Sequence, residues 1–158
     1  MPVSAVVPKF FGYYVLDPDY ECDDAEARSP ILLMEDCGKP IVARNMDKES
    51  RVDCYALINR LHFAGYHHNS VFERNIVVQP GPLTAPPDAR SIENPSYRVI
   101  DFGRTNCLEM WTKDYLRRHR DEDEDEMKVI AKSRFSGNLK SERGYAKEEL
   151  RLHLYNDI

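Results

Sequence analysis

The hydrophobic positions change their spacing along the chain, and each change marks an element. Phe10-Phe11-Gly12-Tyr13-Tyr14-Val15-Leu16 is an aromatic and β-branched run closed by the turn residues Asp17-Pro18-Asp19, which predicts a strand. Beyond an acidic stretch from Cys22 to Glu26, Pro30 introduces Ile31-Leu32-Leu33-Met34-Glu35-Asp36, stopped by Cys37-Gly38-Lys39-Pro40. This continuous run predicts a second, more buried strand, and the polar loop between the two suits an antiparallel pair. From Asp47 to Ala64 the period becomes helical: Cys54, Leu57, Ile58 and Leu61 make one stripe, while Lys48, Glu49, Arg51 and Asn59 fall elsewhere. Ser50-x-x-Asp53 offers a capping box near its start, and Gly65 supplies a left-handed residue to end it. Such a stripe predicts core.

Ile76-Val77-Val78 and Arg98-Val99-Ile100-Asp101 are short β-branched runs separated by Gln79 to Tyr97, which holds Pro80, Pro82, Pro86, Pro87 and Pro95. Proline has no N–H for a ladder, so residues 79–97 read as a long Pro-rich loop. It is either a surface insertion or a partner-docking segment of polyproline type. Beyond Gly103 the chain is highly charged: Lys113 to Arg120 is basic, and Asp121 to Glu126 is an unbroken acidic run. Met110, Trp111, Tyr115, Leu116, Met127, Val129 and Ile130 are placed to anchor helices on either side of a solvated acidic turn. A last amphipathic segment, about Tyr145 to Tyr155, carries Leu150, Leu152 and Leu154.

Composition narrows the function classes. The chain has 158 residues, 42% hydrophobic, enough for one domain with a real core. Its 22 Lys and Arg against 27 Asp and Glu give a net charge of -5, the wrong sign for a general nucleic-acid binder. No apolar run approaches the roughly 18 residues that span a bilayer, and Val3 to Val7 lacks the flank and length of a signal peptide. An intracellular protein, cytoplasmic or nuclear, is expected, with Cys22, Cys37, Cys54 and Cys107 as reduced thiols. A zinc site would have to recruit His62, His67 and His68, whose spacing matches no known ligand signature.

Three pieces carry chemistry in order. They are the strand ending Met34-Glu35-Asp36-Cys37-Gly38, the segment Leu61-His62-x-x-Gly65-x-x-His68-x-Ser70-x-x-x-x-Asn75-Ile76-Val77-Val78, and Val99-Ile100-Asp101-Phe102-Gly103. Together, with a helix leading into the second, they resemble the hinge, catalytic loop and metal-binding loop of the protein kinase fold. More narrowly, Asn75 to Gly103 with its Gln79-Pro80-Gly81-Pro82-Leu83 insertion resembles the fungal protein-kinase-like family, over about residues 8 to 112. The resemblance implies an α+β, kinase-like fold, with a mainly helical large lobe and small antiparallel strand pairs. Residues 1–36 would be a remnant of the small lobe and hinge, and 37–158 the large lobe.

The resemblance also implies site roles. Asp101 and Asn75 become the metal positions for Mg²⁺ on ATP phosphates, because phosphoryl transfer rests on positioning and charge neutralisation. The Glu35 carbonyl and Cys37 N–H become the nucleotide-binding hinge, with Met34 as gatekeeper. His68 becomes a structural residue beneath the metal loop. Where the family pattern His-x-Asp places the catalytic base, this chain reads His68-Asn69-Ser70, and a neutral serine cannot act as that base. Nothing upstream of Phe10 matches a Gly-rich strand pair or a phosphate-pairing lysine, and Lys9 does not fit. The expectation is therefore a catalytically impaired, pseudokinase-like module. It would act through weak ATP and Mg²⁺ binding or a protein partner on the small-lobe remnant or Pro-rich loop. Two alternatives are an active phosphotransferase on protein hydroxyls or a small molecule, and an incomplete product of a longer kinase-like gene.

Overall fold

The computed structural model describes residues 5–15 and 30–155 of the chain. The turn at Asp17-Pro18-Asp19, the acidic stretch from Cys22 to Glu26 and Cys22 itself lie outside them. In chain order the elements are β1 (Phe10–Tyr14), β2 (Ile31–Met34), β3 (Lys39–Pro40), α1 (Lys48–Phe63), β4 (Tyr66–His67), β5 (Ile76–Gly81), β6 (Ser91–Val99), β7 (Asn106–Cys107), α2 (Leu108–Arg118) and α3 (Glu124–Glu149). Helix (50%) outweighs strand (22%) among the described residues, and the three small sheets are all antiparallel, so the fold class is α+β.

β1 and β2 form a ribbon in which Tyr13 faces Leu32 and Tyr14 faces Ile31, with a bulge between Phe10 and Gly12. The pairing follows the sequence prediction, but the burial does not: β2 is exposed throughout, from 42% at Met34 to 64% at Ile31. A continuous apolar run is buried only when layers cover both faces, and a two-stranded ribbon supplies no such layer.

β3, β5 and β6 make the second sheet, with Lys39 opposite Val78 and Ile76 opposite Val99. Gly38 enters it at φ +80°, where a Cβ would overlap the Val78 carbonyl oxygen, so only glycine fits. The long Pro-rich loop predicted over 79–97 is mostly strand, and only residues 82–90 connect β5 to β6. Gln79 faces Ser96 and Gly81 faces Ser91, so Pro80 stands opposite an irregularity that contains Pro95, where ladder N–H groups are not needed. The connection is a closed turn, not an extended polyproline segment. Ala85 N–H donates to the Pro82 carbonyl (3.0 Å), and Arg90 Nε donates to the Ala85 carbonyl (3.0 Å).

α1 packs the predicted stripe, with Cys54, Leu57, Ile58 and Leu61 all buried, against Ile76 and Val99 of the sheet and Ala146 and Leu150 at the end of α3. Its cap is Asp47, whose Oδ1 accepts from Ser50 N–H at 2.7 Å, in place of the predicted Ser50–Asp53 box. Arg51 also departs from the pattern: it is buried, and its Nε and Nη2 donate to the Met46 carbonyl at 3.0 and 2.6 Å. Gly65, at φ +82°, ends the helix as expected.

α2 and α3 meet through Tyr115, Met127 and Ala131, with Trp111, Leu116 and Ile130 around them. Met110 and Val129, predicted anchors, are exposed. The acidic run divides between a solvated turn and the first turn of α3, where Asp123 caps the helix and Glu124, Asp125 and Glu126 face its positive end. α3 then continues unbroken for 26 residues, absorbing much of the last amphipathic segment.

Candidate functional site

The site forms on the segment between β4 and β5, where it passes the exit of β6. β4 pairs with β7 through Tyr66–Cys107 and His67–Asn106, which fixes both ends of the segment from His67 to Asn106 on one short ladder. The Ile100 N–H donates to the Asn75 carbonyl at 2.9 Å and sets the end of β6 beside the start of β5. His68 is fully buried; its Nε2 lies 2.9 Å from the Ile100 carbonyl and its ring meets Phe102 edge-on at 5.1 Å. It therefore packs beneath the Asp101-Phe102-Gly103 turn. Two residues here hold left-handed backbone without being glycine, Asn69 at φ 62° and Asp101 at φ 64°. Such conformations persist only where the surroundings fix them; the Asn69 side chain is tied by an Nδ2 bond to the Arg104 carbonyl at 3.0 Å.

Ser70, Asn75 and Asp101 converge. Asn75 Nδ2 donates to the Ser70 carbonyl (2.8 Å), to Ser70 Oγ (3.0 Å) and to Asp101 Oδ2 (3.1 Å). Ser70 and Asn75 are buried, whereas the Asp101 carboxylate faces solvent. The amide nitrogen is thus spent on protein acceptors, leaving its oxygen and the Asp101 carboxylate as the two oxygen donors of the site. No group of three or more His, Cys, Asp or Glu able to hold a metal occurs among the described residues. A carboxylate and an amide oxygen are donors of the kind Mg²⁺ takes, an ion commonly held by one or two carboxylates with water and phosphate oxygens completing its shell.

Glu142, 26-residue α3's buried carboxylate, holds this loop from behind. Its Oε2 accepts from His68 N–H (3.0 Å) and lies 2.7 Å from His62 Nε2; its Oε1 accepts from Asn69 N–H (2.6 Å) and lies 3.8 Å from His67 Nε2. Burial pushes the Glu142 carboxyl up, but the bonds from His62, His68 and Asn69 and the nearby His67 outweigh it and hold the group below its ordinary range. Burial pushes His67 below its ordinary range, opposed in part by Glu142. His62 is therefore a core histidine facing a carboxylate. Two of the three histidines weighed for zinc, His62 and His67, turn toward Glu142, and the third, His68, toward the Ile100 carbonyl. Beside the loop, a cavity of about 590 Å³ is lined by Asn69, Ser70, Phe72, Tyr145, Glu148 and other residues of the loop and α3.

Glu35 and Cys37 sit at the other end of β5. Glu35 Oε1 accepts from Gln79 Nε2 (3.0 Å), its Oε2 accepts from Lys9 N–H (2.9 Å), and Arg98 Nε lies 3.5 Å away. Cys37 is buried, its thiol bonded to the Glu35 carbonyl at 3.5 Å and pushed up to about 11 by burial and the Glu35 charge. Gln79 lies four residues beyond Asn75, about 13 Å along the chain, so Glu35 and Cys37 on one side and the Ser70–Asn75–Asp101 group on the other flank opposite ends of β5. Arg74 stacks over Phe72 at 4.2 Å.

Glu142 escapes a reading of the sequence because it lies 74 residues from the His68 N–H it binds. Its one signal is a charge on the buried stripe Met127, Ala131, Phe135, Glu142, Ala146, visible only once α3 is read as a single helix. Comparisons with family models, curated proteins and solved structures return no match for this chain.

Proposed function

We propose that the chain is a kinase-like module with an impaired phosphotransfer centre, which binds MgATP weakly and acts chiefly through binding. The observation that carries this reading is the convergence of Ser70, Asn75 and Asp101 around one amide, at 3.0 and 3.1 Å. Asn75 and Asp101 supply oxygen donors suited to a phosphate-bound Mg²⁺, which neutralises phosphate charge when present. Ser70 stands where a base would be needed, and its hydroxyl accepts from Asn75, keeping the loop's hydrogen bond without a group able to take a proton. Gln79, whose Nε2 bonds Glu35 at 3.0 Å, lies about 13 Å along the chain from Asn75, so an extended nucleotide with its base at Glu35 and Cys37 would carry its phosphates toward Asn75 and Asp101.

Asp101→Ala removes the carboxylate donor and is expected to abolish Mg²⁺-dependent ATP binding measured by titration calorimetry. Binding unchanged in this variant would overturn the metal assignment. A second reading, an active phosphotransferase, is favoured by the same Asn75–Asp101 pair, since a pure scaffold has no chemical need for either. Ser70→Asp separates the two. If the base alone is lacking, transfer should rise by about 10² to 10⁴; a rate unchanged by the substitution would show that another step limits.

A further inference from the structure

We propose that His67 makes the contact between Glu142 and the Ser70 loop a proton-operated latch, closed at neutral pH and released in mild acid by a local opening of residues 67–70 from α3. In the closed form Glu142 Oε1 accepts from Asn69 N–H at 2.6 Å and Oε2 accepts from His68 N–H at 3.0 Å. Ser70 is the next residue and is itself buried, so the latch sets the order of the candidate site whatever ligand that site takes.

The geometry makes a proton the trigger. His67 is 9% exposed, its Nε2 faces Glu142 Oε1 at 3.8 Å, and its Nδ1 is buried with no hydrogen-bond partner. In the neutral ring the proton belongs on Nε2, facing the carboxylate, and Nδ1 is a lone pair. A further proton would sit on Nδ1, where a charged donor is desolvated and meets no acceptor. Glu142 has little left to offset that charge, because its oxygens already receive His62 Nε2 at 2.7 Å and the two backbone N–H groups. The other groups acting on His67 are His62 from α1 and His68 from its own segment, and both oppose added positive charge. β7, its strand partner, sets the uncharged Asn106 opposite. Asn69 holds φ 62°, a left-handed backbone that persists only while its surroundings fix it, so loss of the Glu142 bond leaves the loop free to relax.

Burial holds His67 below its ordinary 6.5 in the closed form. An opened segment, with His67 in water, therefore binds the extra proton and gains population as pH falls below that value. Glu142, held below 4.5, stays charged through this range, so the release is not a titration of the carboxylate.

The test is amide hydrogen exchange on the full chain, read by NMR at His68 and Asn69, with Ile58, fully buried in the middle of α1, reporting opening of the whole fold. Both loop amides are expected to exchange faster than Ile58 at each pH. After correction for intrinsic rates they should lose about tenfold in protection from pH 7.5 to 5.5, the effect of one proton taken up on opening. His67→Gln, which keeps a side-chain N–H and cannot be charged, should hold that protection constant. Loop amides that open only with Ile58, protection unchanged over this range, or an equal fall in the folded variant would overturn the proposal. Titration of the wild-type His67 ring by NMR needs no variant: a midpoint below 6.5 is expected, and one at or above it would overturn the latch.

Discussion

At the scale of single residues, the decisive feature is that one carboxylate serves four groups. Glu142 satisfies two backbone N–H groups of the segment that carries Ser70 and faces two histidines besides. Removing one partner of such a buried set leaves the others desolvated and unpaired, which typically costs about 3–5 kcal/mol. Glu142→Ala should lower unfolding stability in urea by that order, and a loss under about 1 kcal/mol would mean the loop holds itself. The same groups set a pH dependence. His67 is held below its ordinary 6.5, so the unfolded chain takes up a proton first and stability falls as pH drops below that value. Glu142 is held below its ordinary 4.5, so its contribution is present above that pH and is lost as pH falls through its lower folded value. Acid should therefore weaken the fold in two stages in wild type, with the second stage smaller in Glu142→Ala but not lost, since Glu35 is also held below its ordinary value. Equal stability from pH 8 to 4 would contradict this.

At the scale of elements, α1 is where pattern and packing agree. Ile58, in the middle of the stripe, is fully buried, and Ile58→Ala should cost about 2–5 kcal/mol. Phe63, five residues on and 89% exposed, should tolerate alanine with little change; equal losses at the two positions would show that α1 does not pack as described. This helix was legible because Cys54, Leu57, Ile58 and Leu61 carry its period in one short window. The β1–β2 pairing was legible from two apolar runs, but their exposure was not, since burial depends on what covers a strand rather than on its own residues. The prolines misled for a related reason. Pro80 and Pro95 are excluded from ladders only where an N–H is required, and the β5–β6 irregularity removes that requirement. The buried Arg51 and the Asp47 cap turn on local carbonyl and amide partners that no periodicity records.

At the scale of the whole molecule, the three small antiparallel sheets and three α-helices among the described residues gather His68, Ser70, Asn75 and Asp101 from positions up to 33 apart. These were the residues that sequence motifs singled out, and Ser70, Asn75 and Asp101 meet within hydrogen-bond distance. The support behind them, Glu142, was invisible because it joins through tertiary packing alone. The central claim is that the site engages nucleotide and Mg²⁺ together, and a thermal melt with and without MgATP tests it most directly. With ligand at about a hundred times its Kd, stability should rise by about 2.7 kcal/mol and the midpoint by roughly 5–11 °C, and Asp101→Ala should erase the shift. A cooperative wild-type melt that MgATP leaves unmoved at millimolar concentration would contradict the account.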